Sequence, residues 1–364
     1  MSFQIVRNDI TKVKADVIVN TANPYPVIGS GTDSAVYHAA GEQRLLAERK
    51  KIGNIAPGQV AVTSAFDLPA KYIIHTVGPA WEGGSHGERD VLHSCYERSL
   101  AKAAELKADS IAFPLIATGV YGFPKDDALN IALSEIGRFL LTHDMKVILV
   151  VFDRKAFELS GKLVDDIDEF IDDHEVCAVK EAEYGHPEDL LERRRMEMTS
   201  MLADEELFHR RTELMHADIE EDEEIFDGAP TPMNVPFPDM EAKSLDDMLQ
   251  NTGDTFQKKL FQLIDASGMD DVTVYKKANI DRKVFSRIRC KEDYKPKKKT
   301  AVAFAIALQL DMPTMLDLLA RAEIAFSPSN KFDLIVTYFV THGIYDIFEI
   351  NAALFKYGQP ILGE

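Results

Sequence analysis

An amide and a carboxylate ten residues apart, Asn23 and Asp33, bracket a loop that carries Pro24, Pro26, Gly29, Ser30 and Gly31. The apolar run Val17, Ile18, Val19 before the loop reads as a buried strand. An alanine-rich helix is expected to open at or just after Asp33. A strand, a glycine-bearing loop and a helix N-terminus in that order make an anion site. Glycine lets the backbone approach a phosphate, and the unpaired N–H groups of the first turn point at it. Asp33 at the helix start can also act as an N-cap. A second glycine-bearing stretch, Leu115–Phe123, contains Thr118, Gly119, Val120, Tyr121 and Gly122.

Both stretches must be held by something, and the pattern of residues 1–174 says what. Strands are expected at Phe3–Val6, Asp16–Val19, Gln59–Thr63, Tyr72–Val77, Ser110–Pro114 and Lys146–Phe152. Several are apolar on successive positions, as in strands covered on both faces. Helical patterns at Ser34–Lys51, Glu88–Leu106, Lys125–Thr142 and Arg154–Asp172 lie between or after them. Alternation of this kind predicts a three-layer α/β sandwich with a mixed central sheet. Ligands in such folds bind at the carboxyl ends of strands, where both glycine-bearing stretches fall.

Beyond this region the texture changes. Residues 175–243 combine a charged helical pattern at Glu188–Arg211, the acidic run Asp218–Glu224 and a four-proline segment at Gly228–Pro238, which reads as a solvated linker. Residues 244–364 read as an all-α domain, with helices at Ser244–Ala266, Val272–Asn279, Arg282–Arg289, Lys298–Gln309, Pro313–Ala320, Lys331–Thr341 and Tyr345–Lys356. The formal net charge of -19 over 364 residues argues against general affinity for nucleic acid or membrane surfaces. Three separated cysteines without a CxxC pair exclude a disulfide framework and a cysteine zinc site, and HExxH is absent, so neither metal nor cofactor is expected. No secretory leader and no apolar run of ~18 residues is present, so the expected location is cytoplasmic, without a membrane partner.

Five segments in order resemble the macrodomain family: Asn8–Thr11, Asp16–Asn23, Gly29–Gly41, Lys71–Pro79 and Leu115–Pro124. The resemblance implies a pocket for ADP-ribose. Asp9 would accept a hydrogen bond from the adenine amino group, the Ile10 N–H would help hold the ring, and Phe152 would lie against it. Backbone N–H groups of Ser30–Gly31 and of Gly119–Gly122, in the loop Thr118–Gly122 that includes Val120, would cradle the diphosphate. Tyr121 would lie against the distal ribose and Asn23 would bond its hydroxyls. A dianion in so acidic a chain needs oriented dipoles, which two glycine-bearing loops supply without lysines.

The macrodomains most similar to this chain, the MacroD-type hydrolases, place an Asn and an Asp as Asn23 and Asp33 stand here. They cleave ADP-ribose from acidic side chains and deacylate O-acetyl-ADP-ribose. Such a carboxylate can orient or deprotonate the attacking water, a contribution of ~100- to 10,000-fold. A hydrolase is therefore the favoured expectation, with a non-catalytic ADP-ribose reader as the alternative and an ADP-ribosylated protein as the expected partner. Tyr37 stands where those proteins often carry histidine, and Gly29-Ser30-Gly31 is poorer in glycine than their usual run. His75 is expected to be a hydrogen-bonded strand residue.

Val272–Arg289 is similar to the helix-turn-helix core of phage-repressor-like regulators. Eleven basic residues stand against four acidic ones between Asp271 and Lys299. In a repressor, Arg282, Lys283, Ser286 and Arg289 would face bases or phosphates. The favoured expectation is a protein-interaction module docking the chain's own linker or a partner, with a DNA-binding regulator as the alternative.

Overall fold

Six strands form one sheet in the order β1-β6-β5-β2-β4-β3, with β1 Ser2–Arg7, β2 Val17–Thr21, β3 Val60–Ser64, β4 Tyr72–Thr76, β5 Ser110–Pro114 and β6 Lys146–Val151. All neighbours run parallel except β3, which is antiparallel to β4, so the sheet is mixed as expected. This computed structural model describes residues 2–152, 163–171 and 254–363. The expected helix at Glu188–Arg211, the acidic run, the proline segment and the Ser244 helix start lie outside them.

Successive apolar residues in the strands face opposite layers, which explains why the pattern does not alternate with polar residues. Ile18, Ala112, Ile148 and Val150 join a core with Val36, Tyr37 and Ala40 of α1 (Thr32–Ala40) and Leu45 of α2 (Glu42–Ile52). Val17, Val19, Ile111, Phe113, Val147 and Leu149 join the opposite core with α3 (Glu88–Glu105) and α4 (Lys125–Thr142). The single helix expected at Ser34–Lys51 is two helices, because Gly41, at φ 95°, breaks it. Of the pattern at Arg154–Asp172, residues 163–171 are helical and form α5.

Among the described residues of the C-terminal region seven helices follow: α6 Phe256–Ser267, α7 Asp271–Lys277, α8 Arg282–Cys290, α9 Lys298–Ala307, α10 Met312–Ala320, α11 Lys331–Thr341 and α12 Ile347–Lys356. Side chains of Thr255, Asp270, Asp281, Asp311, Asn330 and Asp346 cap six of them, satisfying first-turn N–H groups. Residues 1–172 and 254–364 form one compact unit. At the junction Asn279, in the turn between α7 and α8, meets edge strand β1. Its Oδ1 accepts from Phe3 N at 2.7 Å and its Nδ2 donates to Phe3 O at 3.0 Å. The Lys276 ammonium donates to Leu141 O at 3.2 Å, and Phe348 packs edge-on against Phe3 at 5.3 Å.

Candidate functional site

A cleft of about 760 Å3 opens at the carboxyl ends of β1, β2, β5 and β6. The loop after β2 supplies Asn23, Gly29, Ser30 and Gly31; that after β5 supplies Leu115, Ala117, Thr118, Gly119, Val120 and Tyr121. Asp9, Ile10, Asp33 and Phe152 complete the set that the sequence singled out. Gly122 is not on the lining. At φ 64° it closes the second loop, its N–H donating to Gly119 O at 3.0 Å. Phe123 N donates to Ala117 O at 3.1 Å, and Ala117 itself is left-handed at φ 64°.

Asp9 caps a short 3-10 turn. Its Oδ1 accepts from Thr11 N at 3.0 Å and from Thr11 Oγ1 at 2.7 Å. Both bonds fall on one oxygen, and Ile10 is buried beside it. Phe152, just past β6, is 78% exposed, an aromatic face left open to the cleft rather than a core residue.

Asp33 departs from the N-cap reading. The helix opens one residue earlier, at Thr32, with Gly31 as the cap residue and no side-chain capping bond. The Asp33 carboxylate instead reaches back across the loop. Oδ2 accepts from Gly29 N at 2.6 Å, and Oδ1 accepts from Asn20 Nδ2 at 2.6 Å. A Cβ at residue 29 would stand 2.9 Å from Oδ2, so the contact needs glycine there. Asp33 is 2% exposed, and burial raises its pKa above the usual 3.8, opposed by the bonds from Asn20 and Gly29 and by the Arg49 charge. Burial thus raises the pKa of a carboxylate that two donors and a nearby cation pull down.

Asn20 was not singled out among the candidate residues, yet it is fully buried and holds that carboxylate. Its amide also meets His75 Nδ1 at 3.2 Å, while His75 Nε2 meets Thr63 Oγ1 at 3.0 Å. With Nδ1 accepting from the amide, His75 is the Nε2–H tautomer and donates to Thr63. Burial holds its pKa down to about 3, so it stays neutral, a hydrogen-bonded strand histidine as expected. The orientation leaves Asn20 Oδ1 buried without a partner. The flipped amide would aim that oxygen at the Asp33 carboxylate. The signal for Asn20 was a polar residue ending an otherwise apolar buried strand.

Asn23 makes no hydrogen bond to Asp33. Its Oδ1 accepts from Tyr25 N at 3.0 Å, an Asx turn that fixes the half-buried side chain at the cleft wall. Tyr37 is buried behind Asp33; burial and the Asp33 charge push its phenol up to about 12, so it is neutral. Tyr121 is half-buried on the cleft wall, and burial and Asp33 raise its pKa.

The C-terminal candidates lie apart from this cleft. Arg282, Lys283, Ser286 and Arg289 are all exposed on α8. Arg289 is ion-paired with Asp271 and lies over the Phe261 ring.

The Macro domain family profile matches residues 19–132. A macro domain-containing protein of Methanosarcina mazei is 43% identical over 166 residues, covering 45% of this chain and 88% of that protein. An O-acetyl-ADP-ribose deacetylase of Enterobacter cloacae is 42% identical over 165 residues, covering 44% of this chain and 92% of that one. Among solved structures, the Oceanobacillus iheyensis macrodomain with ADP is 36% identical, covers 45% of this chain and 90% of that one, and superposes with a TM-score of 0.42. The helical region 254–363 lies outside the family match.

Proposed function

This chain belongs to the macro domain family, and on that premise we propose that its cleft binds ADP-ribose and that the protein hydrolyses ADP-ribosyl esters. The substrates are O-acetyl-ADP-ribose and ADP-ribose esterified to acidic protein side chains. The observation that carries this reading is a buried carboxylate, Asp33, held from two sides at the wall of a cleft between two glycine-bearing loops. A similar protein, from Enterobacter cloacae, is named for deacetylation of this ester.

In this reading the adenine lies at the end of the cleft formed by Asp9, Ile10 and Phe152. The Asp9 oxygen not taken by Thr11 accepts from the amino group, and the Ile10 N–H helps to hold the ring. The diphosphate rests on backbone N–H groups of Ser30–Gly31 and of the Thr118–Gly122 turn, near the positive end of α1. Asn23 bonds the distal ribose hydroxyls and Tyr121 closes over the sugar. Asp33 takes a proton from water as the water attacks the ester carbonyl. The resulting tetrahedral intermediate then collapses with cleavage of its bond to the ribose oxygen. Asp33 returns the proton to that oxygen, which leaves as a hydroxyl, and the acyl group leaves as the carboxylic acid. Binding energy from the adenine and diphosphate ends fixes the ester beside that water.

Incubating the full chain with O-acetyl-ADP-ribose, and separately with a protein ester-linked to ADP-ribose, tests the proposal. Release of acetate or of free ADP-ribose is expected; tight ADP-ribose binding without release would make the protein a reader.

For the helical region we infer a protein partner rather than DNA. The turn leading into α8 is packed against the sheet, Asn279 being 1% and Ile280 0% exposed with Asn279 bonded to β1. Arg289 is ion-paired with Asp271, while Arg282, Lys283 and Ser286 stay exposed for a partner. No salt-sensitive gel shift with duplex DNA is expected; a steep one would reverse the inference.

A further inference from the structure

Arg49 is a large cation with 1% exposure, on a helix behind the cleft rather than in its lining. Among the described residues it is in no salt bridge. Its partners are backbone carbonyls on two loops. Nη1 donates to Gly53 O at the end of α2, and Nη2 donates to Asn23 O at 3.2 Å and Pro24 O at 3.4 Å. Pro24 O also accepts from Ile55 N at 2.9 Å, so the loop that carries Asn23 is pinned from behind at two consecutive carbonyls. A guanidinium fork suits this geometry, being planar, permanently charged and not replaceable in shape by an ammonium. These carbonyls accept from Nη1 and Nη2 but do not balance the charge. The groups facing Asp33 are Asn20 from β2, the Gly29 N–H, Tyr37 of α1, Tyr121 of the second loop and Arg49 of α2, with His75 of β4 reached through Asn20. Tyr37 and His75 are neutral, which leaves Arg49 as the cation of this set.

We propose that Arg49 is a positioning residue of the hydrolase site: its fork fixes the Asn23–Pro24 backbone, and through it the Asn23 side chain, while its charge offsets the buried Asp33 carboxylate. The proposal rests on the reading of the cleft given above and adds to it a residue that never touches substrate.

The test compares Arg49→Lys and Arg49→Met in the full chain, following O-acetyl-ADP-ribose turnover across the acidic pH range. Lysine keeps the charge and loses the fork. KM is expected to rise about tenfold, as for one charge-assisted hydrogen bond lost, with the acid limb of kcat unmoved. Methionine loses both, so KM rises and the acid limb moves to higher pH. In an Asn23→Ala background Arg49→Lys should change KM little, because the two act as one unit. Wild-type KM in Arg49→Lys, full additivity with Asn23→Ala, or an unmoved acid limb in a folded Arg49→Met each overturn the proposal. Should Arg49→Met melt at the assay temperature, the lysine variant and its cycle with Asn23→Ala still decide. Full turnover in Asp33→Ala would instead defeat the underlying reading. In that event ADP-ribose titration of Arg49→Lys, with and without Asn23→Ala, tests the loop-pinning role separately.

Discussion

Asp33 works against its own fold. A carboxylate whose folded pKa is raised contributes stability below its unfolded value of 3.8, and that contribution is lost as pH rises through the folded value. Ionising Asp33 in the folded protein therefore costs stability, a penalty typical of a group retained for activity. Two donors limit the penalty, and Asn20 is the one contributed by a side chain. Asn20→Ala is expected to lower kcat by roughly a hundredfold, as for a misplaced catalytic group, and to move the acid limb of kcat to higher pH. Rate profiles of the two proteins check this; an unmoved limb would show that Asn20 does not hold the carboxylate. Glu88 shows the opposite sign. It gathers the backbone N–H groups of Glu82, Gly84 and His86, and such bonds, led by its own backbone N–H, pull its pKa from the ordinary 4.5 down to about 2. Its stabilisation is present above pH 4.5 and lost as pH falls through about 2. In Glu88→Gln the amides of Glu82, Gly84 and His86 should exchange faster at neutral pH, and the difference from wild type should vanish at the acid end.

At the scale of elements, edge strand β1 is the place where the two halves of the described structure meet. Asn279 pairs both the N–H and the C=O of Phe3, as a neighbouring strand would, and it is held in a left-handed turn at φ 53°. Asn279→Ala strands two buried backbone groups, each costing about 1–3 kcal/mol, so a total loss of about 2–6 kcal/mol is expected in urea unfolding. A loss below 1 kcal/mol would mean that water replaces the amide. None of this was legible in the sequence, because an asparagine after a lysine-rich helix reads as a turn and nothing local announces a partner 276 positions away. The strands were legible because continuous apolar runs have few other uses. Both glycine-bearing loops were legible too, since the types that permit close backbone approach stand after those runs. The break at Gly41 was missed because the apolar spacing carries through it, and Arg49 because a basic residue among Arg44, Lys50 and Lys51 looks like a solvated face. The Asp33 N-cap reading failed for a tertiary reason: Asn20 and Gly29 compete for the carboxylate and win it from the helix.

Over the whole molecule, a chain of net charge -19 is proposed to take a dianionic ligand, so long-range attraction cannot account for binding. Recognition must come from short-range dipoles and from the adenine end of the cleft, and affinity should depend weakly on salt. In the proposed mechanism catalysis rests on one side chain and binding on many. The most direct measurement is therefore a paired one on Asp33→Ala: the rate of acetate release from O-acetyl-ADP-ribose, and the calorimetric Kd for ADP-ribose. The account predicts a fall in rate of about 100- to 10,000-fold, with a Kd within a few-fold of wild type. Turnover at the wild-type rate would contradict it.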